Sequence, residues 1–220
     1  AEHNMTSIGI FGANGRMGRA LVTVAKEQQL QLTAATVRSG SELVGLDAGE
    51  LAGCGKIGLA LSATAAAAVQ QAEIWVDFTM PEPMLAQLAL CVAERKAMVI
   101  GVTGLTDAQY QLIQQASTQI PIVWAPNMSV GVNLMLHLAQ TAARVMGNTA
   151  DIEIIEAHHR FKKDSPSGTA MAIGASIARS LGRNLNEVAV YGREGMIGER
   201  PQQTIGFATV RGGDIIGDHT

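Results

Sequence analysis

Apolar positions in the first 127 residues fall into short runs separated by longer amphipathic stretches. The run IGIF at 8–11 reads as a buried strand. It stops at Gly12, and a helix is predicted after it, because Met17, Ala20, Leu21, Val24 and Ala25 recur with helical spacing. LQLTAATV then predicts a second strand ending near Arg38. The strand signal returns in EIWVDFT, AMVIGVTG and IPIVWAPN, with the helical patterns PEPMLAQLALCVAERK and TDAQYQLIQQAS between them. In the second of these helices Thr106 and Gln109 stand in capping-box spacing. Strands alternating with helices predict a parallel α/β sheet, and the opening β-α-β is half of a Rossmann-type, doubly wound domain. Residues 45–58 are Gly-rich without periodicity and are expected to form an irregular surface loop, one that either covers or flanks a cofactor or is solvent-exposed filler.

After Asn127 the pattern changes. SVGVNLMLHLAQTAARVMG predicts one long helix. DIEIIEAHH alternates as a strand does, which puts Ile152, Ile154, Glu156 and His158 on one face and His159 on the other. SGTAMAIGASIARSLG predicts a helix with Ala170, Ile173, Ile177, Ala178 and Leu181 on one side. From Val188 on, strands alternate with Gly-rich turns. The expected organisation is a dinucleotide-binding domain over 1–127 and a second α+β domain with a mixed sheet over 128–220.

Composition narrows the function classes. With 47% hydrophobic and 16% charged residues the chain should fold as a globular protein. A net charge of -3 supplies no global basic field for nucleic acid or an anionic membrane. Cys54 and Cys91 show neither disulfide-framework nor zinc spacing and read as buried thiols of a reducing compartment. The polar start AEHNMTS lacks the apolar core of a signal peptide, and residues 1–4 read as an extraneous lead before Met5. The run IGLALSATAAAAV is too short for a bilayer span, so a cytoplasmic location is expected.

Two segments carry candidate chemistry. The first is the turn GANGRMG, with Gly12, Gly15 and Gly18 between a strand and a helix. Glycines there let backbone N–H groups approach a pyrophosphate at the positive helix end. Dinucleotide folds usually place an acid after the second strand to bind a ribose hydroxyl. This chain has Val37-Arg38-Ser39, so Arg38 can pair with a 2′-phosphate. NADPH is therefore expected in preference to NADH, which remains a possible cofactor, and Arg16 offers a second cation.

The second segment is EAHHRFKKDSPSGTA at 156–170. His158 and His159 can exchange protons near neutral pH, and Lys162 can do so if neighbouring cations lower its pKa. The N–H groups of Ser167, Gly168 and Thr169 open a helix and can hold a carboxylate. Such a lining suits a small dianion that is protonated after accepting a hydride. No third ligand stands at a spacing useful for a metal, so none is expected.

This segment closely resembles the signature E-x-H-H-x-x-K-x-D-x-P-S-G-T-A of the dihydrodipicolinate reductases. The resemblance runs through GANGRMGR, VDFTMPE, GVTG, APNMSVGVN and GFATVRGGDIIGDHT. It implies NAD(P)H-dependent reduction of a cyclic dicarboxylate to tetrahydrodipicolinate in lysine and diaminopimelate biosynthesis. It implies His158 as proton donor or acceptor, Lys162 as proton donor, and His159, Gly168 and Thr169 as substrate contacts. It further implies a cofactor lining of Gly12, Ala13, Asn14, Gly15, Arg16, Met17, Arg38, Gly101, Val102, Thr103, Ala125, Pro126, Asn127 and Met128. Lys163 falls at an open position of the motif and is expected to add only electrostatic support. The family commonly forms homotetramers through the sheet of the second domain. Family members normally continue beyond the position matched by Thr220, so the second domain is expected to be short at its end. The alternatives are an NADPH-binding regulator, an inactive short reductase, or another two-domain NAD(P)-dependent enzyme.

Overall fold

The apolar runs of the first half pair side by side into one sheet. A computed structural model describes residues 6–220, and the expectations about residues 1–4 and Met5 lie outside the described residues. The chain divides into two units, Ala1–Pro126 and Asn127–Thr220. In the first, Ser7–Phe11 (β1), Gln31–Ala35 (β2), Ile74–Asp77 (β3), Ala97–Ile100 (β4) and Ile122–Trp124 (β5) form a parallel sheet in the order β2-β1-β3-β4-β5. The reversal of order beside β1 is the switch point at which doubly wound folds open a crevice outside the strands' carboxyl ends.

Each face of this sheet buries its own cluster. Phe11 stacks on Trp75 with centroids 4.1 Å apart, in a core with Met98, Ile100 and residues of the helices Pro81–Ala93 (α1 to α8 are numbered in chain order; this is α4) and Asp107–Ala116 (α5). Gly9 makes room for the indole, since a Cβ there would lie 2.7 Å from it. Trp75 Nε1 donates to the Val69 carbonyl at 3.1 Å. The opposite face buries Ile10, Val22, Ala35 and Leu61 against Arg16–Glu27 (α1). The capping box of α5 is present, with Thr106 and Gln109 each bonding the other's backbone N–H.

Two expectations are corrected here. The buried side of α1 is Gly18, Val22 and Ala25, whereas Met17, Ala20 and Val24 are exposed. The phase is set by contact rather than by the apolar stripe: a Cβ on Gly18 would lie 2.6 Å from Ala13 Cα, so this face must meet the preceding turn. Residues 45–58 are irregular only in part. They contain the short helix Ala48–Ala52 (α2), and one carboxylate, Asp47, accepts from the N–H groups of Gly49, Glu50, Ile57 and Gly58. Nor does this stretch line the cavity described below. Between it and β3 the Ala-rich run forms Ala65–Ala68 (α3) and a single 3₁₀ turn.

The second unit opens with Val130–Met146 (α6). Ile152–His158 (β6), Ala189–Tyr191 (β7), Ile205–Arg211 (β8) and Asp218–His219 (β9) then form a mixed sheet in the order β7-β8-β6-β9, in which only β9 runs antiparallel. Gly168–Ser180 (α7) and α6 cover one face, over Ile154, Ile205 and Phe207. Gly174 admits the Phe207 ring, which a Cβ would meet at 2.5 Å. A four-residue helix, Leu185–Val188 (α8), precedes β7. Among the described residues no helix is long and apolar enough to cross a membrane.

Candidate active site

In the first unit the glycine turn follows β1. Gly12 takes φ +64, in the left-handed region, and a Cβ there would lie 2.5 Å from Thr79 Cγ2. Gly15 is the N-cap of α1, and no side chain caps that helix, so its first-turn N–H groups are left for an anion. Gly12, Asn14, Arg38, Ser39, Thr79 and Gln87 are among the residues lining a cavity of about 580 Å³. Ala13 is buried beneath the turn, while Arg16 and Met17 are exposed on α1 and do not line the cavity. Gly101, Val102 and Thr103 follow β4 at the same sheet edge; the Val102 carbonyl accepts from Trp124 Nε1 at 3.2 Å. Ala125 and Pro126 follow β5 and close the first unit, and Asn127 and Met128 open the second, so this stretch of the expected lining straddles the division.

Behind the turn lies a buried acid that sequence reasoning left without a role. Asp77, at the end of β3, has no exposed surface. Its Oδ1 accepts from Thr79 N at 2.8 Å and Thr79 Oγ1 at 2.6 Å, and its Oδ2 has no partner. Burial raises its pKa, and the two Thr79 bonds only partly oppose this. Cys91 is equally buried, and burial followed by the Asp77 charge pushes its thiol up to about 12.

In the second unit β6 delivers Glu156 and His158 to the face that α7 covers. Glu156 is 1% exposed and forms the hub. Its Oε2 lies 2.6 Å from His158 Nδ1, Arg211 meets both its oxygens at 2.8 Å, and Ser167 N donates to Oε1 at 3.0 Å. Burial alone would raise its pKa; the Arg211 pair, His158 and the Ser167 amide outweigh that and hold it at about 2. Ser167 Oγ accepts from Ala170 N at 3.1 Å, capping α7, and lies 2.7 Å from His219 Nε2. His219 stands edge-on to His158 at 5.0 Å, and its pKa is lowered by burial and then by His158. Lys162 Nζ pairs with Asp164 Oδ1 at 2.8 Å, which holds the Asp164 carboxyl below its ordinary value. His159 Nδ1 is buried without a partner, and Lys163 is exposed. Gly168 and Thr169 form the first turn of α7. A second cavity, of about 700 Å³, lies beside Ser165, Pro166, Met171 and Thr209; neither His158 nor Lys162 lines it. Among the described residues no cluster of three or more His, Cys, Asp or Glu side chains could hold a metal.

Comparison with known proteins accounts for both halves. The sequence model for the N-terminus of dihydrodipicolinate reductase matches residues 6–128, and that for its C-terminus matches residues 131–220. The chain belongs to the dihydrodipicolinate reductase family. A 4-hydroxy-tetrahydrodipicolinate reductase of Pseudoalteromonas atlantica is 59% identical over 98% of this chain and 81% of its own length. That of Pseudomonas fluorescens SBW25 is 56% identical, again over 98% and 81%. Among solved structures, a dipicolinate-bound dihydrodipicolinate reductase from Paenisporosarcina superposes with a TM-score of 0.69 at 26% identity, over 98% of this chain and 82% of that one. An amine dehydrogenase from Mycobacterium smegmatis shares the fold alone, with a TM-score of 0.55 at 16% identity over 71% of this chain and 48% of that one.

The first unit fits the NAD(P)H that a dihydrodipicolinate reductase requires. Glycine at 12 and 18 lets the turn pack against Thr79 and the helix against the turn, the helix end is uncapped, and a cation borders the adjoining cavity. Sequence reading found the histidine pair, Lys162 and the glycine turn, but gave no role to Glu156, Arg211, His219 or Asp77. Glu156 had a local signal, its place two residues before His158 on one strand face. Arg211 had none, because its partner depends on the pairing of β6 with β8.

Proposed function

We infer that the chain is a 4-hydroxy-tetrahydrodipicolinate reductase, using NAD(P)H to reduce a cyclic dicarboxylate to tetrahydrodipicolinate in lysine and diaminopimelate biosynthesis. The observation that carries this reading is the match of both halves to one family, with 59% identity to a relative of that activity. NAD(P)H held at the glycine turn would supply a hydride. The chain's residues bind, orient and protonate. The Gly168 and Thr169 amides at the start of α7 and the half-buried His159 hold the carboxylates, in keeping with the dipicolinate carried by the Paenisporosarcina relative. Reduction leaves negative charge on the ring, which the Lys162 ammonium and the His158 imidazolium stabilise before protonation. The Asp164 carboxylate, 2.8 Å from Lys162 Nζ, fixes where that side chain points.

Arg38 supports a preference for NADPH: it borders the cavity at the end of β2, makes no ion pair among the described residues, and no acid stands beside it to repel a phosphate. Homotetramer formation is supported by the sheet face opposite α7, where Ile155 and Val210 are each 49% exposed. The free cysteines accord with a cytoplasmic setting.

An assay of cofactor oxidation with freshly generated substrate tests the reading, with native mass measured on the same sample. We expect turnover with a lower KM for NADPH than for NADH and a mass four times 23.0 kDa. His158→Ala and Lys162→Ala should each lower kcat about 100-fold or more while leaving NADPH affinity unchanged. Wild-type turnover in the double variant would refute these roles, and equal use of NADH would refute that of Arg38.

A further inference from the structure

We propose that Glu156 is a positioning residue that holds His158 in its Nδ1–H form, so that the proton exchanged with substrate is carried on Nε2, and that Arg211 holds Glu156 to this task. The proposal rests on the role given to His158 above. The argument is a count of donors. An ionised carboxylate accepts about four hydrogen bonds and donates none. Glu156 receives four: two from Arg211, one from Ser167 N and one contact with His158 Nδ1. A guanidinium and a backbone N–H can only donate, so the carboxylate is acceptor-only and the hydrogen in the 2.6 Å contact belongs to Nδ1. The depressed pKa of Glu156 agrees with this.

Nε2 makes no hydrogen bond among the described residues. It is kept clear by Gly217, where a Cβ would lie 2.9 Å from it. His158 therefore has one nitrogen tied to the fold and one free. In the protonation step the Nε2–H bond of the imidazolium breaks, its electron pair stays on Nε2, and the proton passes to the substrate atom made electron-rich by reduction. Nδ1–H remains on Glu156 throughout, and water restores the proton on Nε2. Arg211 is itself pinned, donating to the Val210 and Asp164 carbonyls at 2.7 and 2.6 Å. The dyad is thus fixed from β8 as well as from β6.

The test is ¹⁵N NMR of histidine-labelled protein, with His158 assigned by the signal lost in His158→Gln. We expect neutral His158 to carry its hydrogen on Nδ1 in the wild type. In Glu156→Gln the side-chain amide can offer N–H to the ring and reverse the tautomer. A wrong tautomer in a comparable dyad costs about 10⁴ in kcat, so a fall of at least about 100-fold is expected, with KM for NADPH within about threefold. An Nε2–H tautomer in the wild type, or Glu156→Gln with unchanged kcat, would overturn the proposal. If Glu156→Gln does not fold, the wild-type spectrum decides alone. The spectrum needs no substrate, so a chain that fails to reduce the dicarboxylate would remove the proposed function and leave the tautomer result standing.

Discussion

Glu156 is the residue on which most of the second unit's polar contacts converge, and its ionisation ties stability to pH. Its pKa in the fold, about 2, lies below the ordinary 4.5, so folding favours the charged form. The stabilisation is fully present above about pH 4.5 and is lost as pH falls through about 2. Urea midpoints should fall across that window in the wild type, and Glu156→Gln should lose this part of the pH dependence while starting from a lower midpoint. A Glu156→Gln curve parallel to the wild type would contradict it. At this scale the sequence disclosed what is local. His158, His159 and Lys162 stand within one strand end and turn. The Glu156–Arg211 pair spans 55 residues and appears only once β6 and β8 are paired in register. Asp77 was hidden for a different reason. An acid ending an apolar strand reads as a solvent-facing boundary, yet this one is buried and bonded to Thr79.

Among the elements, α1 shows what periodicity can and cannot deliver. The stripe of apolar residues predicted the helix, but its phase is decided by Gly18 against the Gly12–Ala13 backbone. A methyl at 18 meets backbone rather than a movable side-chain end, so something must shift. Gly18→Ala is expected to cost about 1–3 kcal/mol in urea unfolding, as overpacking does. It should also weaken NADPH binding, because the displaced helix end carries the amides proposed to face the pyrophosphate. Unchanged binding in a destabilised variant would separate the helix from the cradle. The capping box of α5 and the long α6 were legible because each is written in neighbouring residues. The fold of residues 45–58 was not: composition there is Gly-rich, and the order comes from Asp47 gathering N–H groups up to eleven residues away.

Across the whole molecule the change in pattern after Asn127 corresponds to a change of architecture, from an all-parallel sheet to a mixed one. Each unit has its own buried clusters, the first with Trp75 at the centre of one of them and the second built on Ile154, Ile205 and Phe207. The chain contains 2 Trp, and Trp75 and Trp124 both belong to Ala1–Pro126. Indole emission is therefore a private optical signal of the nucleotide-binding half. Trp124 is tethered to the Val102 carbonyl in the stretch expected to line the cofactor. Titrating NADPH should quench this emission and sensitise the bound nucleotide's own glow; an unquenched signal at saturation would place the dinucleotide away from that stretch. Excitation selective for indole thus reports on one unit alone, since the other holds Tyr191 but no Trp.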